Sequence, residues 1–274
     1  MSFEESYYEN TDIWAIENIS EVDRQRIAIL AEKLPLDVKA LLDVGCGNGI
    51  FLEHLLEMKG RCFSRLCGTD RSTVALSHVR TEKVQANIDS LPFANNEFDI
   101  VSCLEVLEHL PQIAYTNALD ELVRIARRFI LVSVPYNENL QLSYTECIKC
   151  CCRFNPNYHL RTFNQQTMQH LFDDKGFTCR EVFFMHPQKI VPTDIEVILR
   201  LLGAVKRTIL RQPRSPMATQ AVCPACGYSP REGGNVGNDS SIIVPQTNSL
   251  GMSIRSLLSL KSGWRWIGAL YERV

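Results

Sequence analysis

The chain has 274 residues, 45% of them apolar and 22% charged, with a formal net charge of −2. This length suits one main core with a smaller lobe, and the near-neutral charge excludes a global attraction to nucleic acid or acidic lipid. No uncharged apolar run approaches the roughly 18 residues of a bilayer span, and the acidic, aromatic opening MSFEESYYENTDIW is unlike a secretory leader, so a cytoplasmic protein is expected.

In chain order, residues 1–35 form a helical cap in which SEVDRQRIAILAEKL is a helix with Ser20 as N-cap and Pro35 beyond its end. Residues 36–190 form the core, where strand and helix patterns alternate. ALLDVG is a strand, NGIFLEHLLEMKG a turn and helix, RLCGTD a second strand, STVALSHVR a helix and KVQANI a third strand. EFDIVSCLEV, AYTNALDELVRIAR and RFILVSVP then read as strand, helix and strand. Such alternation predicts an α/β, doubly wound parallel sheet with right-handed crossovers.

A cysteine-rich insertion at 143–160 breaks the rhythm before a helix, NQQTMQHLFDDKG, and a strand, FTCREVFFM, restore it. Residues 191–261 read as an accessory lobe, with a helix in IEVILRLLGAVKRTILR, a knuckle at 223–227 and a flexible loop at 229–249. Residues 262–274, with WIGALY, read as the final strand of the core. The rival for that end joins it to the basic KRTILRQPR as an amphipathic anchor in weak contact with a membrane surface.

In an open parallel sheet, ligands bind beyond the carboxyl ends of the strands where the strand order reverses. The first strand-to-helix turn carries Gly45, Gly47 and Gly49, which clear side chains from a close-lying ligand. A dinucleotide fingerprint would need a small residue at position 50, where Ile50 stands. DVGCGNG, with Asp43 two residues before the first glycine, resembles instead the first motif of the class I S-adenosylmethionine-dependent methyltransferases. The likeness extends over roughly residues 36–185 through LCGTDRS, NIDSLPF and FDIVSCLEVLEHLP, and is nearest to the branch with LEH after strand four.

The resemblance implies a Rossmann-like seven-stranded sheet and S-adenosylmethionine as cofactor. It implies that Asp43, Gly45, Cys46, Gly47 and Gly49 lie along the methionine part. Asp70, followed by Arg71, would accept hydrogen bonds from both ribose hydroxyls; Asp89 would hold the adenine amino group, with Ile88 against the ring. Leu104 and Glu105 would flank the methionine end, and the aromatic leader with Tyr8 and Trp14 would close over the cofactor.

Methyl transfer from a sulfonium is an in-line displacement, so positioning supplies much of the acceleration and a base matters only where the acceptor holds a proton. His109 is a candidate base whose simpler reading is packing at the start of its helix. NPNYHLRTF resembles a segment of zinc-bearing relatives on the acceptor side. There His159 is the candidate base or acceptor-orienting group and Arg161 the candidate anion or hydroxyl contact, against a helix cap and a surface cation as plainer readings.

Eleven cysteines in a chain without an export signal point to thiols or metal ligation. Cys147 with Cys150, and Cys223 with Cys226, form two Cys-x-x-Cys pairs, the second in the Cys-Pro-x-Cys-Gly form of zinc knuckles. One structural Zn2+ joining both pairs is expected, although 72 residues separate Cys150 from Cys223 and Cys151 or Cys152 could replace a ligand. Cys46, Cys62, Cys67, Cys103 and Cys179 are expected as buried small hydrophobes.

The expected activity is S-adenosylmethionine-dependent O-methylation of a small molecule, sugar or lipid-linked intermediate. The chain lacks an Asn/Asp-Pro-Pro-Tyr motif, which argues against a nucleic-acid base as acceptor. The alternative is a zinc-bearing binding or assembly protein on the same fold without activity. Oligomeric state is not specified.

Overall fold

Leu41 and Leu42 are adjacent in the first strand and face opposite sides of the sheet, and both are fully buried. The same holds along the neighbouring strands: Val101, Ile130 and Ile267 join Leu42 in one apolar cluster, while Ile100, Leu131 and Leu270 join Leu41 in the other. A sheet buried on both faces is what near-continuous apolar strand sequences require.

The computed structural model describes residues 9, 14, 19–60, 62–190, 222–228 and 261–274. These fall in two compact units, one within 1–140, 159–186 and 265–274, the other within 141–158 and 187–264. The strands are β1 (Ala40–Val44), β2 (Arg65–Asp70), β3 (Glu82–Gln85), β4 (Phe98–Leu104), β5 (Ala126–Pro135), β6 (Thr145–Glu146), β7 (Arg153–Phe154), β8 (Phe177–Ile190) and β9 (Lys261–Arg273). Seven of them form one sheet in the order β3-β2-β1-β4-β5-β9-β8, and β6 pairs with β7. β1 to β5 run parallel, whereas β9 pairs antiparallel with β5. The order reverses between β1 and β4, so the loop after β1 opens at the switch point.

Ser20 caps the helix Glu21–Glu32 through a 3.2 Å bond from the Asp23 amide, as its sequence position predicts. The chain's last strand is locked in place at its far end. Tyr271 is fully buried with its hydroxyl donating to the Met168 carbonyl, and Arg273 donates to the carbonyls of Val123 (2.7 Å) and Ala126 (2.6 Å), which the helix Gln112–Ile125 leaves open at its C-terminus.

Gly268 in β9 leaves room for the Phe183 ring, because a Cβ there would lie 2.5 Å from two ring carbons. Gly268→Ala is therefore expected to destabilise the protein by about 1–3 kcal/mol. Urea denaturation would check this, and a variant as stable as the parent would show that Phe183 is free to move.

Several elements are shorter than their sequence patterns suggest. STVALSHVR is helical only over Thr73–Ser77, and KVQANI is a strand only as far as Gln85. The Lys83 ammonium caps the end of that helix, donating to the carbonyls of Leu76 and Val79 at 2.8 and 2.9 Å. NQQTMQHLFDDKG divides into a helix, Gln165–Gln169, and a 3-10 turn, Asp173–Lys175, ended by Gly176 at φ +75°. Cys62 is exposed and Cys179 half-buried, which corrects their assignment to the core. IEVILRLLGAVKRTILR, the segment 229–249 and Tyr8 lie outside the described residues. Among the described residues no helix is long and apolar enough to cross a membrane.

Candidate functional site

The loop after β1 turns on residues in the left-handed region, Gly45 at φ +72° and Gly47 at φ +54°. Gly45 and Cys46 both donate their amides to the Thr69 carbonyl of β2, at 2.8 and 3.0 Å. Close approach adds a second reason for glycine: a Cβ on Gly45 would lie 2.4 Å from Val106, and one on Gly47 would lie 2.7 Å from the Trp14 indole.

Asp70 closes β2 and braces this loop. One carboxylate oxygen accepts from the Gly47 amide and the other from the Ser72 amide, both at 2.9 Å. Burial pushes its pKa up while these two amides pull it down. Each oxygen retains a further acceptor position.

A cavity of about 380 Å3 opens here. Of the residues singled out for a cofactor, Gly45, Asp70, Arg71, Ile88, Asp89 and Glu105 line it, as does His109. Asp43, Cys46, Gly47, Gly49 and Leu104 are not among its lining residues. Trp14 of the aromatic leader lines it too, and Asn87 and Val106 do so without having been singled out for it. Asn87 is the first residue of the NIDSLPF motif, whereas the distant Trp14 is held by its carbonyl, which accepts from the Asn48 side chain at 3.0 Å.

Asp43 is 3% exposed and accepts from the Ser102 hydroxyl of β4 at 2.7 Å. Burial raises its pKa from the usual 3.8 to about 7, against the opposing Ser102 bond and with a smaller push from the Asp70 charge. A carboxyl whose pKa is raised on folding stabilises the fold at low pH, and that contribution fades as pH climbs through the folded value. The displacement from 3.8 to about 7 corresponds to about 4 kcal/mol. In cofactor-free protein, the stability of Asp43→Asn relative to the parent should thus improve by several kcal/mol between pH 4 and pH 8. Parallel stability curves across that range would show that Asp43 does not titrate there.

Glu105 has φ +59°, a backbone conformation that costs a non-glycine residue energy and recurs at functional sites. Its carboxylate accepts from the Ser133 hydroxyl at 3.0 Å and lies 3.4 Å from Arg26. Burial raises its pKa, and the Arg26 charge opposes the rise.

His109 ends a 3-10 turn, Leu107–His109, and its ring meets that of His159 edge-on at 4.8 Å between centroids. His159 is 9% exposed, and its Nδ1 is paired with a Glu138 carboxylate oxygen. Arg161 donates to the Leu107 carbonyl at 2.7 Å and stacks on Tyr115 at 3.9 Å. The guanidinium thus has a carbonyl and a ring as protein partners.

In the second unit, the sulfurs of Cys147, Cys150, Cys223 and Cys226 all lie within 4.8 Å of one another. The two pairs are closed by matching bonds: Cys151 amide to Cys147 carbonyl at 2.9 Å, and Gly227 amide to Cys223 carbonyl at 2.8 Å. Cys151 and Gly227 both follow their pair in the left-handed region, at φ +60° and +69°. Cys151 is therefore a turn residue, and neither it nor Cys152 joins the cluster. The Tyr158 hydroxyl ties the segments together, donating to the Val222 carbonyl at 2.7 Å and accepting from its amide at 3.0 Å. Four such sulfurs fit a tetrahedral thiophilic ion such as Zn2+.

A family model described as a methyltransferase domain matches residues 17–182. The ubiquinone biosynthesis O-methyltransferase of Hahella chejuensis is 33% identical over 119 residues, 40% of this chain and 48% of that protein. That of Hydrogenovibrio crunogenus is 30% identical over 99 residues, 34% of this chain and 41% of that protein. The chain thus spans about half the length of the curated relatives it matches. Among solved structures, a chain of the complex between the Haloferax volcanii Trm112 methyltransferase activator and a methyltransferase aligns over 100% of this chain and 98% of its own, with a TM-score of 0.54 at 16% identity. The [4+2]-cyclase SpnF aligns over 92% of this chain and 81% of its own, with a TM-score of 0.52 at 14% identity. At these identities the two structures show the fold.

Proposed function

The chain belongs to the methyltransferase-domain family, and from that premise we propose that it is an S-adenosylmethionine-dependent methyltransferase that methylates an oxygen of a small molecule, sugar or lipid-linked intermediate. The observation that carries the cofactor assignment is the glycine loop braced on Asp70 beside a cavity of about 380 Å3. When bound, S-adenosylmethionine supplies a methyl group already activated on a sulfonium.

In this reading Asp70 offers its remaining acceptor positions to the ribose diol, and Asp89 takes the adenine amino group beside Ile88. Glu105, lining the cavity, gives the methionine end a carboxylate that suits a sulfonium. Gly45 keeps the wall flat where the cofactor lies, and Gly47 leaves room for Trp14, which narrows the opening. His109, lining the cavity, is the candidate base for an entering hydroxyl; His159 meets its ring edge-on, with Glu138 fixing the His159 imidazole. The choice of oxygen rests on the O-methyltransferases that the chain partly matches. The four clustered cysteines are proposed to hold one structural zinc.

Calorimetric titration with S-adenosylmethionine and S-adenosylhomocysteine, with NAD as control, tests the cofactor. Binding of both and not of NAD is expected. Failure of folded protein to bind either would overturn the activity and leave a binding or assembly role. Transfer of a labelled methyl group to hydroxyl compounds, compared with amines, then tests the choice of oxygen.

A further inference from the structure

Two acids stand at the end of β4 and on the turn after it, and their surroundings differ. Glu108 is 1% exposed, and neither of its carboxylate oxygens has a hydrogen-bond partner among the described residues. Burial, with the Glu105 charge, pushes its pKa well up. Glu105 lines the cavity and is met by donors from three elements. The Ser133 hydroxyl of β5 donates to it at 3.0 Å, Arg26 of the helix Glu21–Glu32 stands 3.4 Å away, and the Trp266 side chain of β9 adds a further donor.

Ser133 grips Glu105 twice. Its carbonyl accepts from the Glu105 amide at 2.9 Å while its hydroxyl donates to the carboxylate, so main chain and side chain are fixed together. Glu105 needs such a grip, because its φ of +59° is costly for a residue with a side chain and persists only where the surroundings impose it. Ser133 is itself fully buried and set in register between Leu104 of β4 and Gly268 of β9.

We propose that Ser133 is a positioning residue that aims the Glu105 carboxylate at the sulfur of the bound cofactor, and that this clamp sets the preference for S-adenosylmethionine over S-adenosylhomocysteine. The inference rests on the methyltransferase reading and concerns how the site tells cofactor from product.

The two molecules differ in one methyl group and in one charge, a sulfonium against a neutral thioether. A carboxylate near the sulfur attracts only the first, and it ceases to hold the ligand in this way once the methyl group has left. Arg26 is the nearby cation that could cancel the carboxylate. It does not line the cavity, whereas Glu105 does, and its guanidinium is stacked on the Trp266 ring at 5.0 Å. An entering sulfonium therefore meets the carboxylate first. Burial favours the neutral acid at Glu105, and the Arg26 charge, the Ser133 hydroxyl and Trp266 oppose it in that order.

Dissociation constants of the full chain for S-adenosylmethionine and S-adenosylhomocysteine test the clamp. Their ratio reads the charge at sulfur, since a loss of packing weakens both ligands alike. Relative to the parent, Glu105→Gln is expected to shift the ratio toward S-adenosylhomocysteine by about tenfold, and Ser133→Ala by about threefold. Trp266→Phe should shift it in the same direction. In the Glu105→Gln background, Ser133→Ala should leave the ratio unchanged, because Ser133 acts through the carboxylate. Should Ser133→Ala fail to fold, Ser133→Cys, with its weaker donor, carries the comparison. An unchanged ratio in the Ser133 variant or in Glu105→Gln would overturn the proposal and leave Ser133 as a polar group satisfied within the sheet. Folded parent that binds neither ligand would overturn the methyltransferase reading itself.

Discussion

Asp70→Ala is expected to weaken S-adenosylhomocysteine binding by about 100-fold or more. A hydrogen bond to a charged group contributes about 1.5–3 kcal/mol, and the carboxylate is placed to accept two from a ribose diol. Two such bonds amount to about 3–6 kcal/mol, in a system where 1.4 kcal/mol is a factor of ten. The same carboxylate also fixes the Gly47 and Ser72 amides, so alanine loosens the loop against which the cofactor lies. Asp70→Asn separates the two contributions. It keeps one acceptor oxygen for an amide and loses the charge, so it should fall between the parent and alanine. Calorimetry on variants with parental melting temperatures provides the check. A loss below about threefold for alanine would mean that the ribose is held elsewhere and that Asp70 serves the loop alone.

Local patterns carried much of this geometry into the sequence. The glycine loop, the acid closing β2 and the buried strands are each specified within a few residues, and their order fixes the switch point. The antiparallel place of β9 follows from an apolar run that must be buried somewhere, and β5 offers it an edge. Burial of Glu108 was hidden because nothing in EVLEHL distinguishes a solvated acid from an enclosed one. The meeting of His109 with His159 was hidden because it depends on how the segment after β5 returns to the turn after β4. Trp14 on Gly47 belongs to the same class, a contact made by the path of the chain between elements. The cysteine pairs were legible separately through their spacing. Their approach over 72 residues was expected from a shared ion and is seen in the cluster, whereas the reason for excluding Cys151 came only with the backbone. A cysteine at φ +60° does the work of the glycine in the other knuckle, and φ is invisible in a run of three cysteines.

The zinc proposal predicts a loss confined to one unit. Parent protein should carry one zinc per chain by elemental analysis, and Cys223→Ser or Cys147→Ser should carry none. Metal binding in small thiolate sites is folding free energy, on the order of 10 kcal/mol or more in zinc-finger peptides. The second unit has little else among its described residues to hold it: two-residue strands β6 and β7, a Phe154–Tyr158 stack and the Tyr158 bonds to Val222. Removal of the ion should therefore erase amide protection over residues 145–158 in hydrogen exchange. β1 and β4, buried within the first unit, should keep theirs. Cys151→Gly should retain zinc and gain stability, since glycine adopts the left-handed conformation without strain. Cys152→Ser should retain zinc as well. Zinc lost equally from Cys151→Gly and Cys223→Ser would overturn the ligand set, and a metal-free parent with full protection over 145–158 would overturn the zinc itself.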